Sequence, residues 1–171
     1  MEKIIATKNS DVIIRFAEKK DVPLILSLIR GIADYEKLLH EVKATEQNLE
    51  KSLFGENPYA EIALAFYKNE PAGFALFFHN FSTFLGKPGI YLEDLFVKPE
   101  YRGLGIGKLL LTLLGKIAVE RDCGRIEWSV LDWNESAIQF YKKLGAVPMD
   151  EWTVFRVAGD SIQKLAEKFD G

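Results

Sequence analysis

The chain has 171 residues, 48% of them hydrophobic, which is the size of one ordinary domain with enough apolar side chains for a core. Its 22 basic and 25 acidic residues leave a net charge of −3, so no overall basic field exists to attract nucleic acid or acidic lipid. The apolar runs are far shorter than the ~20 residues of a membrane helix, and the N-terminus lacks signal-peptide features. We therefore expect a single cytoplasmic domain over residues 1–171 that binds neither nucleic acid nor membrane.

The first half of the chain predicts a strand, two helices and a hairpin. Asp21, followed by Pro23, is typical of a helix N-terminus, and Thr45 marks the start of a second helix. Turn residues at 68–73 separate two β-type runs, which predicts a hairpin. The expected elements are a strand over 12–16, helices from 21 to about 38 and from 45 toward 54, and strands over 59–67 and 74–78.

The second half alternates strands with helices. Pro99 ends a β-type run, Asn134 is a favourable N-cap, and Gly145 is a typical helix stop. The expected elements are strands over 89–97, 125–131 and 152–157, a long helix through about 121, a helix ending at 145 and a short closing helix after 159. The order β-α-α-β-β-β-α-β-α-β-α predicts a mixed α/β sheet with helices on both faces.

The scarcity of cysteine and histidine limits the kinds of catalytic or metal-binding site that this chain can form. Cys123 is the single cysteine, so it cannot form an internal disulfide, and it has no partners at metal-ligand spacing. His40 and His79 are far apart in sequence, which leaves little material for a histidine pair or a Ser-His-Asp triad. We expect no metal, and we expect Glu, Asp, Tyr or Lys to move any protons.

Three alternating glycines lie where the strand over 89–97 leads into the long helix. Gly103, Gly105 and Gly107 can adopt conformations closed to other residues and leave the backbone amides unobstructed. A helix N-terminus adds unpaired N–H groups and partial positive charge. The pattern therefore indicates a phosphate site, and the competing interpretation is a turn that only allows close packing.

Two common phosphate loops do not match this segment. A P-loop would need Gly at 102 and a hydroxyl residue at 109, where the chain has Arg102 and Leu109. A dinucleotide loop would need a third glycine at 108, which is Lys108. A nucleotide-dependent kinase or dehydrogenase is therefore disfavoured.

Three other polar residues have ordinary structural explanations when taken alone. Asn134 is a suitable helix cap, and Tyr141 lies on the apolar side of an amphipathic helix, where it could be a core residue. Glu93 and the adjacent Asp94 would face opposite sides of a regular strand. A β-bulge near them would change this, since bulges re-aim side chains beside active sites.

These segments together resemble the GNAT superfamily of acetyl-CoA-dependent N-acetyltransferases. The superfamily signature [QR]-x-x-G-x-[GA] follows a strand and opens a long helix, and residues 102–107 match it in that context. The stretches IYLEDLFVKPEYRGLGIG and VLDWNESAIQFYKKLGA are similar to the diamine acetyltransferase branch, which includes the spermidine/spermine and thialysine enzymes.

The resemblance implies a fold and a co-substrate. The fold would be a GNAT-type mixed, mostly antiparallel central sheet with splayed parallel strands and helices on both faces. Acetyl-CoA would be the co-substrate, with its pyrophosphate on the glycine loop and its pantetheine arm along the preceding strand. The implied cofactor-binding residues are Leu95, Phe96, Val97, Arg102, Gly103, Leu104, Gly105, Ile106, Gly107, Lys108, Asn134, Ser136 and Tyr141.

The resemblance also implies the chemistry. Tyr141 would protonate the departing thiolate of coenzyme A, and Glu93 would anchor the substrate ammonium and accept its proton. Acetyl transfer would be direct, within a ternary complex, and the protein would be a homodimer. The implied substrate-binding residues are Tyr35, Glu36, Glu93, Glu127, Trp128, Ser129 and Glu151.

The substrate expectation rests on a departure from the polyamine enzymes. Ser82 and Phe84 stand where those enzymes have an acid and a tryptophan suited to a long polycation. We therefore expect a short diamine or a lysine-like amino acid in preference to spermidine or spermine. Acetylation of a protein N-terminus or lysine, and a non-catalytic acyl-CoA-binding module, remain alternatives.

Overall fold

The computed structural model describes residues 4–169, so three residues of the predicted domain at its start and two at its end lie outside the described part. The chain divides into two compact units between Ser129 and Val130. No helix of the described residues is long and apolar enough to cross a membrane.

The first unit contains a sheet whose order follows the sequence. Its neighbouring strands are antiparallel except for the last pair, which is parallel, so the expected mixed and mostly antiparallel sheet is confirmed. Within residues 4–169 the six strands are β1 (Ile4–Ala6), β2 (Val12–Phe16), β3 (Glu61–Tyr67), β4 (Glu70–Ser82), β5 (Lys87–Val97) and β6 (Ile126–Trp128).

Helices follow the predicted order. In the first unit they are α1 (Val22–Tyr35), α2 (Glu46–Phe54) and α3 (Ile106–Glu120), and in the second unit α4 (Glu135–Lys143) and α5 (Asp160–Ala166). Short 3-10 turns lie at 19–21, 39–41 and 99–101. Helix α1 ends earlier than its pattern indicates, and Lys37 then adopts a φ of +62°, which no right-handed helix allows.

The helices of the first unit cover both faces of the sheet. A Cβ built on Gly31 of α1 would lie 2.8 Å from the Phe96 ring, so α1 packs directly on that side chain. A Cβ on Gly107 of α3 would lie 3.7 Å from Val97, whose side chain points to the opposite face because it is the next residue of the strand. The core beneath α1 includes Ile25, which is fully buried with Phe74 of β4.

Asp21 differs from its predicted role as a helix cap. Its carboxylate makes no capping bond to α1 and instead accepts two hydrogen bonds from the Arg15 guanidinium, at 2.6 and 2.8 Å. It also accepts the Glu18 amide at 2.8 Å. Because both charged groups are buried, the bidentate pair satisfies more desolvated atoms than a cap would.

The second unit contains the largest error of the sequence-based assignment. The strand expected over 152–157 is wrong, since this segment forms neither helix nor strand. Trp152 is 73% exposed and Phe155 is 91% exposed, so the β-type pattern is not stabilised by burial on a sheet. In the first unit, strand β6 is also shorter than the strand expected over 125–131, because it ends at Trp128.

Candidate active site

The loop before α3 is open backbone. Gly103 and Gly105 both have a φ of +80°, which glycine adopts without strain, and a Cβ built on either would meet no atom within 4 Å. The first helical bond runs from the Leu109 N–H to the Gly105 carbonyl at 3.0 Å. The amides of the first turn therefore have no acceptor within the helix, and with the helix dipole they suit an anion such as pyrophosphate.

Arg102 is held beside this loop by two contacts. Its Nε donates a hydrogen bond to the Val97 carbonyl at 3.1 Å. Its guanidinium carbon lies 4.3 Å from the centroid of the Tyr35 ring, which is a cation–π geometry. The contacts join the C-terminal end of α1 to the end of β5 and the start of the glycine loop.

Strand β5 extends beyond its parallel neighbour. Pairing with β6 runs from Ile90 to Leu92, which lies opposite Trp128, and stops there. On the other side, β5 stays paired with β4 through Val97. The last five residues of β5 therefore have one edge that no described strand covers, and an extended pantetheine arm could pair with that edge.

A β-bulge lies at Glu93, within the segment for which the sequence raised that possibility. Asp94 pairs with Leu76 and Leu92 pairs with Phe77, so Glu93 is the extra residue between two consecutive positions of β4. The bulge breaks the alternation that would send Glu93 and Asp94 to opposite faces. As a result, both acids line the same groove.

That groove, which we call the acidic groove, has a volume of about 440 Å³. Its walls come from α1, from the segment that connects α1 to α2, and from the bulged part of β5. Its lining residues are Ile29, Ile32, Ala33, Glu36, Leu38, Glu41, Val42, Lys43, Ala44, Glu93 and Asp94.

Burial and like charge make the groove favourable for a cation. Burial, together with the negative charges of Glu93 and Glu36, raises the pKa of Asp94 to about 6. Burial also raises the pKa of Glu36 above its ordinary value. An ammonium group in the groove would offset the repulsion among these carboxylates and favour their ionised forms.

Four other predicted substrate residues of the first unit lie outside the lining of the groove. Glu127 accepts hydrogen bonds from Asn80 Nδ2 and Arg125 Nε, each at 2.8 Å. Ser129 Oγ lies 3.0 Å from the Tyr91 hydroxyl. Tyr35 stacks on Arg102, and Trp128 ends β6.

The remaining predicted residues belong to the second unit. Asn134 Oδ1 accepts the Ala137 amide at 3.3 Å, so its capping role is present. Ser136 lies in the first turn of α4. The centroids of the Phe140 and Tyr141 rings are 5.3 Å apart. Glu151 is exposed in a turn.

Sequence reasoning missed three charged residues of the groove. Glu41 and Lys43 lie between the two helices, in a segment that has no β or helical periodicity to orient it. From the sequence, Glu93 but not Asp94 is assigned to the site, although the bulge brings both into the groove. Among residues 4–169, no group of three or more His, Cys, Asp or Glu side chains is arranged to hold a metal ion.

The sequence over residues 28–146 matches the acetyltransferase (GNAT) family. The matched segment includes the C-terminal part of α1, the residues of the acidic groove and the glycine loop. The chain belongs to this family. As a GNAT acetyltransferase it is an acyltransferase enzyme, and the family uses acetyl-CoA.

Individual relatives of this GNAT acetyltransferase act on small amines. It is 39% identical to the thialysine N-epsilon-acetyltransferase of Bos taurus, over 92% of this chain and 98% of that protein. It is 34% identical to the L-ornithine N5-acetyltransferase of Arabidopsis thaliana, over 89% and 86% of the two chains. An integron cassette protein from V. cholerae has a similar structure, with a TM-score of 0.79 and 27% identity over 94% of this chain and 100% of that one.

Proposed function

We propose that this protein transfers the acetyl group of acetyl-CoA to the primary amine of a short diamine or a lysine-like amino acid. The amine attacks the thioester directly in a ternary complex, with no metal ion and no covalent acyl-enzyme. The main support is the acidic groove, where Glu36, Glu93 and Asp94 line one cavity at the strand that leads to the glycine loop.

Several features of the first unit support the binding of acetyl-CoA. The open amides at Gly103 to Lys108 would donate hydrogen bonds to the pyrophosphate, and Arg102 would add a positive charge beside it. Leu95, Phe96 and Val97 would offer backbone groups to the pantetheine arm. Asn134 and Ser136 would contribute further cofactor contacts, as the family resemblance implies.

The acetyl transfer requires three proton movements. The bound ammonium first loses one proton to Glu93, directly or through water. The neutral amine then forms a bond to the acetyl carbon while the carbon–sulfur bond breaks, and its nitrogen loses a second proton to solvent. Tyr141 donates its phenolic proton to the sulfur that leaves, which gives coenzyme A as a thiol. Solvent then returns a proton to the phenolate and removes the proton from Glu93.

The chain favours a short substrate over a long polycation. Ser82 is only 4% exposed, and its Oγ accepts the Leu85 amide at 3.3 Å, so this position supports a turn and adds no carboxylate. Glu127 already pairs with Arg125. The relatives that act on thialysine and ornithine support the same substrate class.

A panel of amines tested with acetyl-CoA, followed by release of free thiol, tests this function. We expect the highest kcat/KM with short diamines or lysine-like amino acids. Spermine as the best substrate, or a peptide preferred over every small amine, would contradict the substrate class. Coenzyme A binding without amine-dependent thiol release would indicate a non-catalytic module.

We also propose that residues 1–171 act as one domain and that the protein is a cytoplasmic homodimer. The resemblance to the diamine acetyltransferases supports the domain and the dimer. Native mass spectrometry of the purified chain tests the dimer, for which a mass of one subunit would be the contrary result.

A further inference from the structure

The acidic groove contains a positive charge that the proposed reaction does not use. Lys43 lines the groove together with Glu36, Glu41, Glu93 and Asp94. We infer that Lys43 selects amines that also have a carboxylate, so that the natural substrate class is a diamino acid and not a plain diamine. This inference rests on the proposed function, since it concerns the substrate of the same groove.

The charges of the groove do not neutralise one another. No ion pair among residues 4–169 joins Lys43 to any of the carboxylates that share the groove with it. Within the described part of the chain, Glu41 makes one close charged contact, between its carboxylate and His40 Nε2 at 3.3 Å. The groove therefore presents carboxylates and an ammonium group that are both available to a ligand.

Lys43 lies on a different wall of the groove from the two acids of β5. Glu93 and Asp94 belong to the bulged part of β5, whereas Lys43 lies with Glu41 in the connecting segment before α2. A diamino acid has an amine at one end of its side chain and a carboxylate with an α-ammonium at the other. It therefore matches a cavity with two acids on one wall and, on another wall, a lysine beside an acid.

A plain diamine is a poorer match. It has positive charge at both ends, so its second ammonium would meet the repulsion of Lys43. The side chain of Lys43 has a compact ammonium group at the end of a flexible chain, which suits the recognition of a substrate carboxylate by charge. The side chain is exposed, so we expect a modest effect that added salt weakens.

Matched substrates isolate this effect. L-ornithine and 1,4-diaminobutane have the same reacting amine and spacing and differ by the α-carboxylate, and L-lysine with 1,5-diaminopentane forms a second pair. The unaltered 171-residue chain is compared with Lys43→Gln, which removes the charge, and Lys43→Arg, which keeps it. Lys51→Gln, which removes an exposed lysine of α2 outside the groove, is the control.

We expect Lys43→Gln to lower kcat/KM for L-ornithine about two- to fivefold, mainly through KM, the scale of one exposed charge pair. The same variant should leave 1,4-diaminobutane unchanged or slightly improved. Lys43→Arg should retain most of the preference for L-ornithine, and Lys51→Gln should have no effect. The KM for acetyl-CoA should stay constant in all variants, which separates substrate recognition from a loss of folding.

Two outcomes would overturn the inference in distinguishable ways. If the protein acetylates small amines but Lys43→Gln leaves the ratio of the two kcat/KM values unchanged, the role of Lys43 is wrong and the proposed function stands. If the unaltered protein acetylates none of the four amines, the proposed function fails together with this inference.

Discussion

Glu93 and Asp94 show how one extra residue in a strand can determine the chemistry of a site. They are adjacent in the chain, yet both line the acidic groove because Glu93 is the bulged residue of β5. The exposed Glu93 can reach a substrate amine, while the half-buried Asp94 has a raised pKa. In the proposed reaction Glu93 accepts the proton of the amine, and Asp94 attracts the ammonium when its carboxylate is ionised.

Replacing Glu93 with Gln should reduce the acetylation of cationic amines. The amide cannot accept the proton and does not attract an ammonium, so we expect a higher KM and a turnover ~10- to 100-fold lower. The affinity for coenzyme A should not change. Steady-state kinetics and calorimetric titration with coenzyme A measure the two effects, and a change confined to KM would assign Glu93 to binding alone.

The raised pKa of Asp94 predicts a pH-dependent amine affinity. Below about pH 6 this carboxyl is protonated in the folded protein, so it no longer attracts the ammonium, and the KM for the amine should rise as the pH falls through that value. Between about pH 4 and 6 the unfolded chain binds fewer protons, so the contribution of Asp94 to stability decreases as the pH rises.

The variant Asp94→Asn tests this pH dependence because its amide is neutral throughout. Its profile of KM against pH should be flatter than that of the unaltered protein. Above pH 6 the variant should also be the more stable protein, by at most about 3 kcal/mol, because a shift of one pKa unit corresponds to about 1.4 kcal/mol. An unchanged profile would assign the pH dependence to another group.

Tyr141 has both a structural and a proposed catalytic explanation. Tyr141→Phe keeps the ring that packs on Phe140 and removes only the hydroxyl. If the phenol protonates the leaving thiolate, turnover should fall ~10²-fold while folding and coenzyme A affinity remain. Full activity in the folded variant would exclude the hydroxyl from the mechanism, and a loss of stability alone would favour a packing role.

At the scale of elements, the glycine that caps α3 and a glycine in its interior have opposite requirements. Gly105 precedes the helix with a φ of +80°, whereas Gly115 lies within the helix and a Cβ there would meet no atom within 4 Å. Gly105→Ala should lower stability by about 1 kcal/mol and weaken coenzyme A binding through the strained loop. Gly115→Ala should raise stability by about 0.5–1 kcal/mol and leave binding unchanged.

Chemical denaturation and coenzyme A titration of both variants measure these effects. The comparison is internal to one element, because each change adds a single methyl group in the same region of the chain. A Gly105→Ala variant that binds coenzyme A normally would show that the loop tolerates a side chain. It would weaken the assignment of the pyrophosphate to this helix N-terminus.

At the scale of the whole molecule, acetyl-CoA or coenzyme A should stabilise the fold while ATP and NAD should not. The open glycine loop follows a strand with an uncovered edge, and only a pantetheine-containing ligand can use both features. A ligand that binds only the folded state adds ~2.7 kcal/mol at a hundredfold excess over its Kd. A thermal shift with ATP or NAD and none with coenzyme A would reject this prediction.

The sequence by itself determined the fold class and the open glycine loop before α3, because both depend on local rules. Alternating and helical patterns placed β2, α2 and α3 within a few residues of their observed bounds. The left-handed conformation of Gly103 and Gly105 follows from the same residues that form the family signature. For Glu93 and Asp94, the sequence indicated a bulge only as the condition for both acids to line one pocket, and the pairing of β5 with β4 decided it.

The tertiary structure alone decided which side chains meet. Asp21 pairs with Arg15 because burial makes a bidentate ion pair more favourable than a cap, and Glu127 accepts a hydrogen bond from the Asn80 side chain, 47 residues earlier in the chain. Lys43 enters the acidic groove from a segment without periodicity, so no pattern could orient it. Contacts between residues distant in sequence depend on packing, and local propensity does not encode them.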